Sequence, residues 1–94
     1  MSIELDHFTV PCRDRVAAAR QLGELLGVPW AATGTAGPFS PVYVSDGLTL
    51  DFDETDGPYP ILHHCFRVSQ PAFDAILARL RAAGIPLRGE VHGP

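Results

Sequence analysis

Four histidines, two cysteines and eleven carboxylates hold most of the chemistry open to this 94-residue chain. Of these, His7, His63, His64 and His92 come first, because imidazole changes charge near neutral pH and is the commonest metal ligand. Cys12 and Cys65 are too few for a four-cysteine zinc site, and in a reducing compartment they are expected to be buried free thiols. Neither has a nucleophile's setting: Cys12 shares a strand face with Phe8 and Val10, and Cys65 has no basic partner or helix N-terminus to lower its pKa. No Ser-His-Asp arrangement has supporting context. The acidic run Asp51, Asp53, Glu54, Asp56 is only faintly a calcium loop, since Gly57 is one place late for the turn glycine and Leu62 stands where a bidentate Glu belongs. Catalytic residues stay unassigned.

Several elements must position these groups. Residues 3–12 alternate as a half-buried strand, with Phe8, Val10 and Cys12 on one face and His7, Thr9 and Pro11 on the other. Asp14 is a good N-cap for a helix over 14–26, in which Val16, Ala19, Leu22, Leu25 and Leu26 recur at helical spacing, and Gly27 stands where a left-handed C′ residue is wanted. Three β-prone segments follow, VPWAAT, PFSPVYV and GLTLDFDE, separated by TGTAGP and the turn signal Ser45-Asp46-Gly47. They predict a three-strand meander.

The pattern then starts again. Pro60–Val68 predicts a second strand, and Pro71 opens a helix over 71–83 with Phe73, Ile76, Leu77 and Leu80 on one stripe. The ending Gly84-Ile85-Pro86-Leu87 repeats Gly27-Val28-Pro29-Trp30. Placing Phe66 on Val10 and Val68 on Cys12 also puts His63 on His7. A strand–helix–strand unit is thus used twice. Only RGEVHGP remains after Leu87, so the second copy is expected to lack two closing strands, giving six strands and two helices.

In order and spacing this sequence resembles the vicinal oxygen chelate superfamily, which holds glyoxalase I, extradiol dioxygenases and bleomycin-resistance proteins. The resemblance rests on Leu5-Asp6-His7-Phe8-Thr9-Val10, Arg13-Asp14, Leu25-Leu26-Gly27, Gly47-Leu48-Thr49-Leu50-Asp51-Phe52, His63-His64-Cys65-Phe66-Arg67-Val68 and Phe73-Asp74-Ala75-Ile76. It implies an α+β fold of paired βαβββ modules: one glyoxalase-like domain over 1–94, with module one at 1–57 and a partial module two at 58–94, truncated after its third element. It further implies a divalent metal held by His7, Asp51 and His63, with no residue for a fourth ligand. Strand alternation agrees, since His7 and His63 oppose the helix-packing faces and Asp51 alternates against Leu50 and Phe52. Two imidazoles and a carboxylate with open positions suit Fe, Mn, Zn or Ni.

Each of these residues also has a plainer role available. His7 alone reads as a hydrogen-bonded structural histidine, and only its repeat at His63 raises it to a ligand. Asp51 reads equally as one more solvated acid. His64, on the face of Phe66 and Val68, is expected to pack toward a helix or an edge, and His92 lies near the terminus. Trp30, Phe39 and Tyr43 are candidates for an apolar cleft wall or for core packing. Arg67, on the His63 face, would meet an anionic substrate or snorkel outward.

Two functional classes follow, a metal-dependent glyoxalase- or dioxygenase-like enzyme and a metal-free small-molecule binding protein of the antibiotic-resistance type. A structural fragment is a third. Unpaired strand edges predict a homodimer. Composition excludes other classes: the charge of −4 with only seven basic residues argues against nucleic acid, and no apolar run is long enough to cross a membrane. Acids at Glu4 and Asp6 stand where a signal peptide would be basic, which predicts a cytoplasmic protein.

Overall fold

The structure is a computed structural model that describes residues 2–35 and 37–88. The elements run β1 (His7–Cys12), α1 (Arg15–Leu26), β2 (Ser40–Ser45), β3 (Leu48–Glu54) and α2 (Gln70–Ala82). The chain divides into two compact units, Met1–Tyr59 and Pro60–Pro94. The result is a small α+β fold consistent with a truncated glyoxalase-like module.

In the first unit the sheet order is β1-β3-β2, with β1 parallel to β3 and β2 antiparallel to it. The parallel pair follows from α1, since parallel neighbours need a crossover rather than a hairpin. The cross-strand partners Phe8↔Leu50, Val10↔Phe52 and Val42↔Leu50 put one row of apolar side chains on the helix face. Cys12, Ala19, Val42, Leu50 and Phe52 form the buried core there. Burying a Leu or Phe is worth roughly 1.5–3 kcal/mol, so this row supplies much of the unit's stability.

α1 begins where expected: Asp14 caps it by accepting a hydrogen bond from the Ala17 N–H at 3.0 Å. It ends at Gly27, whose φ of 73° is the left-handed conformation that favours glycine, with its N–H bonded to the Gly23 carbonyl. The contact between α1 and the following chain is close. A Cβ on Gly23 would lie 2.7 Å from Trp30 Cδ1 and 2.9 Å from Trp30 Cβ, so only glycine lets the indole in.

Two expectations are corrected in the first unit. Residues 3–6 do not join β1, whose register starts at His7↔Thr49; of them Asp6 reaches the ladder only through its carbonyl, which accepts the Thr49 N–H at 3.0 Å. VPWAAT is not a strand but makes a single bridge, Trp30↔Val42, so the meander reduces to the β2–β3 hairpin. The turn at Asp46 and Gly47 forms as expected, with no positive φ at Gly47 and a register irregularity between Tyr43 and Ser45.

In the second unit, α2 forms close to the expected span, with Ser69 as N-cap accepting from the Ala72 N–H at 3.3 Å and Pro71 in the first turn. The segment 60–69 is not a strand, and so three strands are found among the described residues where six were expected. A strand exists only when a neighbour takes up its backbone N–H and C=O groups. No described strand pairs with 60–69, where Ile61 is wholly exposed. Cys65 is also exposed, correcting its assignment as a buried thiol, whereas Cys12 is buried as expected. No residue of α2 is buried. The expected third element of the second copy, with His92, falls on 88–94 and, but for Arg88, lies outside the described residues.

Candidate functional site

The face of the sheet away from α1 carries the other half of each alternation. The pairs His7↔Thr49, Tyr43↔Thr49 and Pro41↔Asp51 bring five side chains from three strands to one surface. A pocket of about 260 Å³ lies there, lined by Asp6, His7, Thr49, Asp51, Pro41 and Tyr43, and closed by Gly34 and Thr35 of the loop before β2.

His7 and Asp51 sit on neighbouring strands as a diagonal pair, since His7 faces Thr49 and Asp51 faces Thr9. Diagonal neighbours lie roughly 7–8 Å apart at Cα, within reach of long side chains. Asp6 adds a feature that strand alternation does not reveal: its Oδ2 lies 2.7 Å from His7 Nδ1. An ionised carboxylate can only accept, so Nδ1 carries the hydrogen and the neutral ring keeps its lone pair on Nε2. The same bond, joined by the charges of Asp6 and then Asp51, lifts the His7 pKa above its ordinary 6.5 against a small opposing desolvation. The ring therefore holds a proton more firmly than a free histidine does, and a cation at Nε2 must displace it.

The structure brings together three of the expected site residues, His7, Asp51 and Tyr43. It places Trp30 against Gly23 of α1, on the helix side, where it packs rather than lines the pocket. Phe39 is half-buried, with its ring near Gly37. His63 and Arg67 belong to the second unit and are exposed on a segment without strand pairing, so no sheet face orients them. Among the described residues no three His, Cys, Asp or Glu side chains gather as a metal ion requires. Thr49 was legible, since it is two residues before Asp51 and shares its face. Asp6 was not, because it precedes the first paired residue and follows no alternation.

No family model matches the chain, and no curated protein matches it. Among solved structures it is similar to "Oxidase ChaP-H2", with a TM-score of 0.81 and 37% identity over 89% of this chain and 65% of that one. "Oxidase ChaP-H1" has a TM-score of 0.78 and 40% identity, over 88% of this chain and 65% of that one. "Structure of a possible Glyoxalase from Bacillus cereus" has a TM-score of 0.59 and 28% identity, over 97% of this chain and 83% of that one. The chain thus spans a little under two thirds of either oxidase. These neighbours support a glyoxalase-like fold. No helix among the described residues is long and apolar enough to cross a membrane.

Proposed function

We propose that this chain is a vicinal-oxygen-chelate protein that binds a small oxygenated molecule beside a divalent metal and acts on it as a glyoxalase- or dioxygenase-like enzyme. The observation that carries this reading is the Asp6–His7 hydrogen bond at 2.7 Å in a pocket shared with Asp51. A carboxylate on the far nitrogen of a ligating histidine fixes its tautomer and orientation and raises its basicity. Nε2 of His7 and a carboxylate oxygen of Asp51 suit Fe, Mn, Zn or Ni as donors. His63 is the third ligand in this proposal. A divalent metal there would polarise a substrate carbonyl or hydroxyl pair. Thr49, Thr35 and Tyr43 offer hydroxyls to hydrogen-bond the substrate's oxygens, and the Tyr43 ring offers an apolar surface. Arg67 is assigned to an anionic substituent.

Zinc titration by calorimetry tests the reading. Wild-type protein should bind with a stoichiometry near one, and His7→Ala, Asp51→Ala and His63→Ala should each weaken binding at least tenfold. Unchanged affinity in all three would end it.

A metal-free binding protein is the second reading, favoured by the absence of a third clustered donor among the described residues. It predicts ligand-induced stabilisation that EDTA leaves intact. We also propose a homodimer, because β1 has a neighbour on one side only among the described strands, and an open strand edge recruits another chain. Sedimentation of a monomer at micromolar concentration would refute it. A cytoplasmic location suits the two free cysteines, and cell fractionation checks it.

A further inference from the structure

The pocket's outer wall is held from the opposite side of the sheet. Arg15, the first residue of α1, sends its Nη1 to the carbonyl of Ala32 at 2.6 Å and to Ser40 Oγ at 2.9 Å, with Thr33 Oγ1 at 3.3 Å. Ser40 is fully buried and donates its own hydroxyl to the same Ala32 carbonyl at 2.5 Å. One carbonyl thus accepts both a charged and a neutral donor, an arrangement stronger than either bond alone. Just beyond it the Gly34 N–H donates to Phe39 O at 3.1 Å, and a Cβ on Gly34 would meet Pro41 Cγ at 3.1 Å. Gly34 and Thr35 line the pocket, as does Pro41. Arg15 and Ser40 do not line it.

We propose that Arg15 is a positioning residue for this pocket: through Ala32 and Ser40 it clamps the loop so that Gly34 and Thr35 stand as a fixed wall over the Asp51 side. The proposal rests on the pocket being the ligand site, and it assigns Arg15 an effect on the organic ligand rather than on the metal. Arg15's own three contacts all leave one nitrogen, so a lysine ammonium can replace part of them where the shorter, neutral glutamine cannot.

Amide hydrogen exchange by NMR on the full chain, together with binding of Zn²⁺ and then catechol as a vicinal-oxygen probe, tests this. In Arg15→Gln the Gly34 amide should exchange at least tenfold faster while Val42 and Leu50 keep their protection. Arg15→Lys should recover part of the loss, and Ser40→Ala should show a smaller one. Catechol affinity should fall about tenfold in Arg15→Gln with Zn²⁺ affinity unchanged. Unaltered Gly34 exchange, or an equal loss across β2 and β3, would overturn the clamp, the latter because it marks a purely structural role. Unaltered catechol affinity alongside faster Gly34 exchange would overturn the positioning role. Wild-type protein that binds neither probe would refute the proposed function, and Gly34 exchange would then decide the clamp by itself.

Discussion

Replacing Gly23 by alanine sets two effects of known size against each other. In a helix interior alanine is favoured over glycine by about 0.8–1.0 kcal/mol. Against this, the new methyl would lie 2.7 Å from Trp30 Cδ1 and 2.9 Å from Trp30 Cβ. Turning the indole relieves only the first contact, because Cβ is fixed to the backbone. The helix and the Trp30 segment must therefore part by several tenths of an ångström. Overpacking of this kind costs typically 1–3 kcal/mol. Since the backbone itself must move, the upper half of that range applies, and the net expectation is a loss of about 1–2 kcal/mol. For a domain of this length 1 kcal/mol lowers Tm by about 4–8 °C. Urea unfolding followed by the fluorescence of Trp30, the single tryptophan, reads the loss directly. Gly47→Ala is the internal control: a Cβ there meets nothing within 4 Å and φ is not positive, so the same substitution should be neutral or stabilising by about 0.4–1 kcal/mol. A Gly23→Ala protein as stable as wild type, with an unshifted Trp30 spectrum, would show that the helix–loop contact is slack. The account of how α1 seats Trp30 would then fall with it.

Other outcomes follow from single contacts. Asp6→Asn should bring the His7 titration, followed by ¹H NMR, back from its raised midpoint toward 6.5; an unmoved midpoint would deny the Asp6 bond. Because the folded-state pKa is the higher one, the pair's stabilisation is complete below the unfolded value of 6.5 and is lost as pH rises through the folded pKa. For so exposed a pair the change in Tm should be small. A thiol reagent should modify Cys65 rapidly and Cys12 only on unfolding, since burial, aided by the charges of Glu54, Asp14 and Asp53, pushes the Cys12 thiol up; two equally fast thiols would contradict the core. Leu50→Ala, at a side chain 1% exposed between β1 and β2, should cost about 2–5 kcal/mol in urea unfolding. A loss under 1 kcal/mol would mean that the row facing α1 is loosely packed.

Both helices were legible because their ends are written locally. Asp14 satisfies a first-turn N–H, Pro71 stands in the first turn of α2, and Gly27 and Gly84 take the left-handed φ that closes a helix; the Ser69 cap of α2 went unread. The half of the site on the first unit was legible for a similar reason. Strand side chains alternate with period two, so finding Leu50 and Phe52 in the core forces Asp51 to the other face, and Val10 does the same for His7. Asp6 escaped this logic because it precedes the first register pair and joins the ladder only through its carbonyl.

The strands that failed to appear were misjudged for a different cause: propensity describes one segment, and a ladder needs two. At 31–33 the competition is visible atom by atom. Pro29 and Pro41 have no N–H to give, so the 29/43 and 31/41 positions keep only the bonds from Tyr43 N–H to the Pro29 carbonyl and from Ala31 N–H to the Pro41 carbonyl, and the Ala32 carbonyl is taken by Arg15 Nη1 and Ser40 Oγ. With each position reduced to one bond and the side chains holding the Ala32 carbonyl, the segment becomes a loop leading to the pocket wall at Gly34 and Thr35 instead of a fourth strand. At 60–69 alternation predicts faces equally well, but no described strand pairs with the segment, which stays irregular and largely exposed. The histidine repeat can be read from residue spacing, whereas joining His63 to His7 and Asp51 depends on that missing pairing. The zinc titration of His63→Ala therefore tests the pairing as much as the ligand.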